Sequence, residues 1–211
     1  NLFLGPAEIA INQALPELPF EIIHDDFNGG LKGFWVKGEP VGSTATVVSG
    51  RARLFVPADS ADHWAALTSQ TDIAPGKDFS VTVTMFEPQL SGSGRGESNL
   101  IVQKSSKPWT WRAGIGWYKI AGQEDSHLYF ASGDKKLTRL PGKAGVTVKL
   151  SRQGNKYLAQ YKIPKLGWEK LGEFEAETNE SLYAVLVNHQ PFSPVPQLTS
   201  FFDDFTLRIE K

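Results

Sequence analysis

Val146-Thr147-Val148-Lys149-Leu150-Ser151-Arg152-Gln153-Gly154-Asn155-Lys156-Tyr157-Leu158-Ala159-Gln160-Tyr161 is the stretch whose reading decides the fold. Val146, Val148 and Leu150 alternate with Thr147, Lys149 and Ser151. That period of two suits a half-buried strand and not a helix. Arg152 to Asn155 turn the chain, with Gly154 free to take positive φ. Lys156 to Ile163 return as the partner strand, with Tyr157, Ala159 and Tyr161 on one side. The same period continues outward. Ala52, Leu54 and Val56 alternate with Arg51, Arg53 and Phe55, and Phe79, Val81, Val83 and Met85 with Ser80, Thr82 and Thr84. Further strands are predicted at 99–103, 109–118, 127–131, 170–175, 183–187 and 202–210, separated by turn signals such as Gly29-Gly30, Pro75-Gly76 and Gly92-Ser93-Gly94. Many short strands with almost no helical pattern predict an all-β, antiparallel sandwich or barrel, as one domain over residues 21–211. Residues 1–20, with Pro6, Pro16 and Pro19, read as an N-terminal arm or linker, which suggests one module of a longer polypeptide.

Composition narrows the function classes. The 211 residues carry 22 Lys and Arg against 23 Asp and Glu, a formal charge of −1 that offers no field for nucleic acid. The absence of cysteine excludes a disulfide framework, a thiolate nucleophile and a zinc–sulfur site. No apolar run approaches the roughly 18 residues of a membrane span, so no membrane insertion is expected. A chain that opens on Asn1 is expected to be a processed or excised form, in which a signal peptide would already be missing.

Two regions carry candidate chemistry. In the last strand Phe201, Asp203, Phe205, Leu207 and Ile209 share one face at period two, which puts Asp203 on the apolar side unless a bulge shifts the register. A carboxylate there needs a cation, N–H donors or a proton. The second region is Trp109-Thr110-Trp111-Arg112-Ala113-Gly114-Ile115-Gly116-Trp117-Tyr118. Its apolar face, with the tryptophans, is expected in the core. Its other face carries Arg112, Gly114, Gly116 and Tyr118. The two glycines either leave an open floor or mark a bulge or a close crossing of chains. On an open floor sugar rings stack on aromatics while fixed polar groups take the hydroxyls. Gln103, His127, Tyr129, Asn188, His189 and Gln190 lie on or beside neighbouring predicted strands and are the supporting candidates; Trp64 is a candidate platform at a loop end, while Trp168, the other such tryptophan, is expected rather to pack at the hairpin tip. The four histidines have no tight His-x-His or His-x-x-x-His spacing, which argues against zinc or iron.

Several stretches, taken in order, resemble the concanavalin A-like lectin/glucanase superfamily. They are Asp25-Asp26-Phe27-Asn28-Gly29-Gly30 with Trp35, Val48-Ser49-Gly50-Arg51-Ala52-Arg53-Leu54, Gly76-Lys77-Asp78-Phe79-Ser80-Val81, the hairpin Val146 to Tyr161 leading to Gly167-Trp168, and Phe202-Asp203-Asp204-Phe205-Thr206-Leu207. The resemblance implies a two-sheet jelly-roll sandwich, in a superfamily that holds lectins, glucanases, polysaccharide lyases, laminin-G modules and non-catalytic carbohydrate-binding domains. Several members hold a structural calcium near the first and last strands. By that resemblance Asp25, Asp26, Asp203 and Asp204 would be its ligands here. The other reading is that these are turn and strand-end aspartates accepting backbone N–H groups.

Catalysis has little support in the sequence. The Glu-x-Asp-x-x-Glu string of the laminarinase-like members is absent, and Glu173, Glu175 and Glu177 read as a solvated edge. A lyase would have to be assembled from Arg112, His127 and Tyr129, with Tyr as acid and His as base. The function expected is therefore a non-catalytic carbohydrate-binding module. Its concave sheet would bind a polysaccharide or other glycan through Arg112, Tyr118, His127 and Tyr129, with Gln103, Asn188 and His189 in support, and it would act outside the cell or at its surface. A glycoside hydrolase or lyase on the same groove is the alternative. A protein-binding adhesion domain working through rim loops 91–98 or 190–198 is the third reading.

Overall fold

The computed structural model describes residues 19–59, 62–104, 111–132, 137–140, 145–162, 167–177, 179–190 and 194–211. The arm at 1–18, Trp109 and Thr110 lie outside them. Among the described residues the chain forms sixteen strands and no helix. They are β1 (Phe20–Asp25), β2 (Trp35–Gly38), β3 (Thr44–Val48), β4 (Arg51–Val56), β5 (Trp64–Ile73), β6 (Phe79–Met85), β7 (Gln89–Ser91) and β8 (Arg95–Lys104). Then come β9 (Trp111–Ile120), β10 (Ser126–Phe130), β11 (Leu137–Leu140), β12 (Val146–Gln153), β13 (Lys156–Lys162), β14 (Glu169–Glu175), β15 (Leu182–His189) and β16 (Gln197–Glu210).

The deciding hairpin is β12–β13, closed by Gly154 (φ 57°) and Asn155, with Val148 opposite Tyr161 and Leu150 opposite Ala159. It joins a nine-stranded sheet of order β14-β13-β12-β6-β16-β4-β3, in which β1 and β7 also pair with β16. The second sheet has seven strands in the order β11-β10-β9-β8-β15-β5-β2. All the pairings are antiparallel, and hairpin neighbours such as β8–β9 alternate with pairs far apart in sequence such as β6–β16 and β8–β15, as in a jelly-roll sandwich. Leu54, Val81 and Leu150 of one sheet and Leu100, Trp117 and Leu186 of the other are fully buried in one core between the layers. Trp117 therefore packs where the alternation put it.

The first turn explains Asp25. Its carboxylate is wholly buried and accepts three N–H donors. Oδ1 takes the Phe27 amide at 2.8 Å, while Oδ2 takes the Lys32 amide at 3.2 Å and the Trp35 indole N–H at 2.9 Å. Asp25 thus knots the β1–β2 turn and aims Trp35 into the core. Asp26 accepts the Asn28 amide at 3.2 Å and the Asn28 side-chain N–H at 3.1 Å, which hold its carboxyl below the usual range. At the other end of the chain a bulge in the β16–β6 pairing between Asp203 and Thr206 changes the register expected from the sequence. Phe202 and Phe205 both point into the core, Asp204 takes φ 50°, and Asp203 turns outward. Asp203 lies 3.8 Å from Arg51 Nε, and partial burial beside Asp204 and Asp26 pushes its carboxyl up.

Candidate functional site

Period-two alternation leaves one face of the seven-stranded sheet turned away from the core. The pairing registers arrange its side chains in rows that cross the strands. The first row runs His127, Tyr118, Glu97, His189, Trp64 on β10, β9, β8, β15 and β5. The second runs Tyr129, Gly116, Asn99, Val187, Ala66, Gly38, and the third Gly114, Ile101, Val185, Thr68, Val36. Large polar and aromatic groups make the first row a ridge; apart from Tyr129, which leans toward Glu97 of the ridge, the next two rows carry smaller side chains and make a trench parallel to it. At the far bank Gln103 lies opposite Trp111 and Tyr183.

Glu97 is the hub of the ridge, although only 5% exposed. One carboxylate oxygen accepts the Tyr129 hydroxyl at 2.7 Å and the other pairs with Arg95 at 2.5 Å. Tyr129 reaches Glu97 by lying across β9 at Gly116. A Cβ there would fall inside 3.0 Å of the Tyr129 ring and of Asn99 Oδ1. Ile101 lies over Gly114 in the same way, 2.7 Å from where a Cβ would stand. So the glycines mark close crossings of side chains and not the open floor that was one reading of the sequence. Burial and Glu97 push the Tyr129 phenol up, which keeps it a hydrogen-bond donor. Burial pulls the His189 imidazole down, against the opposing pull of Glu97.

Arg95 lies 4.0 Å over the Tyr118 ring, and His127 stacks on Tyr118 with centroids 5.2 Å apart and planes 16° apart. Arg95 and His127 come from strands flanking β9 on opposite sides, so they cover the two faces of Tyr118 and leave its edge to solvent. Neither tyrosine offers a free face to a sugar. Trp64 is half-buried and packs over Gly38, where a Cβ would be 2.9 Å from the indole Cη2. Beneath it Ala66, Ile101, Val185 and Val187 form a small second apolar cluster. A hollow of about 120 Å³ opens there, with Gln103 and Val36 also on its wall.

The expected site residues therefore separate. Tyr118, His127, Tyr129 and His189 come together on the ridge, and Gln103 lines the apolar hollow. Arg112 lies six residues along β9 from Tyr118, roughly 20 Å away at strand rise, so no lyase triad of Arg112, His127 and Tyr129 forms. Asn188 faces the opposite way: its side-chain N–H donates to the Leu54 carbonyl at 2.8 Å, between the sheets. Glu97 and Arg95 escaped sequence reasoning because 91–98 reads as a rim loop, whereas β8 begins at Arg95; Asn99, first in the strand predicted at 99–103, was not singled out. The signal was present in Arg95-x-Glu97-x-Asn99-x-Ile101, which extends the alternation of 99–103 backward. Among the described residues no three His, Cys, Asp or Glu side chains gather as a metal site. Asp25 and Asp26 each direct both carboxylate oxygens at N–H donors, so these two are engaged within their own turn.

No family model and no curated protein sequence matches the chain. Solved structures do. Winged bean acidic lectin, complexed with methyl-α-D-galactose, aligns with TM-score 0.62 at 8% identity, over 90% of this chain and 98% of the lectin. Bacillus licheniformis β-glucanase aligns with TM-score 0.57 at 13% identity, over 90% and 98%. The alginate lyase from Klebsiella pneumoniae aligns with TM-score 0.58 at 9% identity, over 81% and 85%. The chain has the concanavalin A-like fold that these lectins and enzymes share.

Proposed function

We propose that this domain is a non-catalytic carbohydrate-binding module that holds a glycan chain in the trench of the seven-stranded sheet, outside the cell or at its surface, as part of a longer polypeptide. The observation that carries this reading is the pairing of an aromatic platform, Trp64, with a polar ridge whose central carboxylate has both oxygens engaged. A sugar ring stacks its C–H face on Trp64, and its hydroxyls meet His189 and the edge of Tyr118. Asn99 brings a buried side-chain N–H without a protein partner to the same floor. The solved lectin and the two glycan-active enzymes of the same fold support a glycan as the ligand class.

The same geometry argues against hydrolysis. A glycosidase needs a second carboxylate about 5 to 10 Å from the first. Within the ridge and trench rows Glu97 has no second acid, its own row holding His127, Tyr118, His189 and Trp64; Asp125, two residues before His127, lies beyond them. A lyase needs a phenol or imidazole able to take and give a proton. The Tyr129 proton is instead committed to Glu97. No step of this reading runs through calcium. The test is a pull-down on a panel of insoluble neutral polysaccharides together with assay of the supernatant for oligosaccharides. Retention that W64A weakens about tenfold, without released sugar, is the expected result. Released oligosaccharide, or no retention on any glycan, overturns the reading.

A further inference from the structure

We propose that the outer face of the nine-stranded sheet is a second, separate binding site, for an acidic polysaccharide. A basin of about 630 Å³ lies there, on the opposite side of the sandwich from the trench. Its floor is a hydroxyl grid. Thr206, Thr82 and Lys149 stand in one row across β16, β6 and β12, and Arg208, Ser80 and Ser151 in the next. Ser80, Thr82 and Ser151 are half-buried, and their hydroxyls make no hydrogen bond to the protein among the described residues.

Two cations stand at this floor without a carboxylate partner among the described residues. Lys104, Lys119, Lys156 and Lys170 each hold a carboxylate at 2.8 to 3.0 Å. Lys149 and Arg208 hold none among the described residues. Each lies instead over an aromatic ring: Lys149 is 4.7 Å from the Trp168 centroid and Arg208 is 4.6 Å from that of Phe20. A ring under a cation fixes its position and leaves its charge for a ligand, because the quadrupole attracts without neutralising. The two sit two strands apart and two residues out of step, roughly 12 Å at sheet spacings, with the hydroxyl floor between them. Asp78 and Glu210 close only one end of the basin, and the Asp78 carboxylate already accepts the Gly154 amide at 2.7 Å. Spaced cations for acid groups, hydroxyls for hydroxyls, and the 40%-exposed Trp168 as a rim match a chain of sugar rings bearing carboxylates or sulfates.

This site does not rest on the trench reading, and one set of variants separates the two. The full chain is titrated with dextran sulfate, polygalacturonate, neutral dextran and polyphosphate, as wild type and as K149A, R208A, the double variant and W64A. Saturable binding of dextran sulfate or polygalacturonate is expected, with neither neutral dextran nor polyphosphate matching it. K149A and R208A each weaken it about tenfold, the loss of one charge-assisted contact, while W64A leaves it unchanged. Unaltered urea midpoints in both cation variants confirm that the fold is kept. Binding that survives the double variant overturns the proposal, as does polyphosphate binding equally well, which would show attraction to charge alone. So does a wild-type dimer in sedimentation velocity that R208E dissolves, because the face would then join two copies of the chain.

Discussion

Gly116 offers the sharpest test of the ridge. Its place opposite Tyr129 and Asn99 leaves no room for a methyl group, since a Cβ would lie inside 3.0 Å of both. Gly116→Ala must push Tyr129 off β9, with two costs. Overpacking against a buried ring costs about 1–3 kcal/mol. Withdrawal of the Tyr129 hydroxyl leaves Glu97 Oε2 buried without its donor, and a hydrogen bond to a charged group is worth about 1.5–3 kcal/mol. The strand gains about 0.5–1 kcal/mol from replacing glycine, so a net loss of about 2–4 kcal/mol is expected in urea unfolding at constant m-value. A double-mutant cycle isolates the cause. In a Tyr129→Ala background the ring is gone and only Asn99 Oδ1 still meets the new methyl, so most of the Gly116→Ala penalty should disappear. A single G116A variant within about 0.5 kcal/mol of wild type, or a full penalty that persists in the Tyr129→Ala background, refutes the claim that glycine is there to let the ring cross.

Three further outcomes follow from the same geometry. Trp64→Ala should weaken neutral-glycan retention about tenfold, the loss of roughly 1.4 kcal/mol of stacking, with far-UV circular dichroism unchanged. Asp25→Asn should cost about 3 kcal/mol or more, because an amide N–H₂ would face the donors that the carboxylate accepts; EDTA should leave the wild-type melting temperature where it is, and a drop of several degrees would restore calcium to the account. The His189 imidazole is pulled below its ordinary value of 6.5, so the unfolded chain binds the extra proton first, and stability should fall as pH drops below about 6.5. His189→Asn should remove that part of the slope in urea midpoints measured between pH 7.5 and 5.

Strand parity was readable wherever one face is apolar and the other polar. That is why β4, β6, β12 and β13, and the inward side of β9, follow the sequence. β5 was missed because Ala65, Ala66 and Leu67 are buried in succession, which erases the alternation. β1, β2, β3, β7 and β11 are at most six residues long and give a period little room to show. Asp203 was put on the wrong face by a bulge, which a period count cannot see. Arg112 and Tyr118 share a face, as read, yet parity carries no distance, and six residues of strand keep them apart. The largest gap was Glu97. A carboxylate on a strand reads as solvated surface, and only the assembled sheet shows Tyr129 reaching over from β10 to join Arg95 of Glu97's own strand and make its burial tolerable.

The fate of the charges also sorts ligands between the two faces. On the trench side the negative charge of Glu97 is matched by Arg95, and burial disfavours the imidazolium of His189, so the ridge presents hydrogen-bonding groups with almost no net field. A uronic or sulfated chain laid there would lose its hydration without gaining a free cation, which disfavours it. On the opposite face Lys149 and Arg208 keep their charge available, and a neutral chain would gain little from it. The two ligand classes should therefore bind at once. Saturating dextran sulfate should leave retention on a neutral polysaccharide unchanged, and raising the salt from 50 to 500 mM should release dextran sulfate while sparing the neutral glycan. Mutual displacement would mean that both ligands share one face, and the division of charge between the sheets would then have no functional meaning.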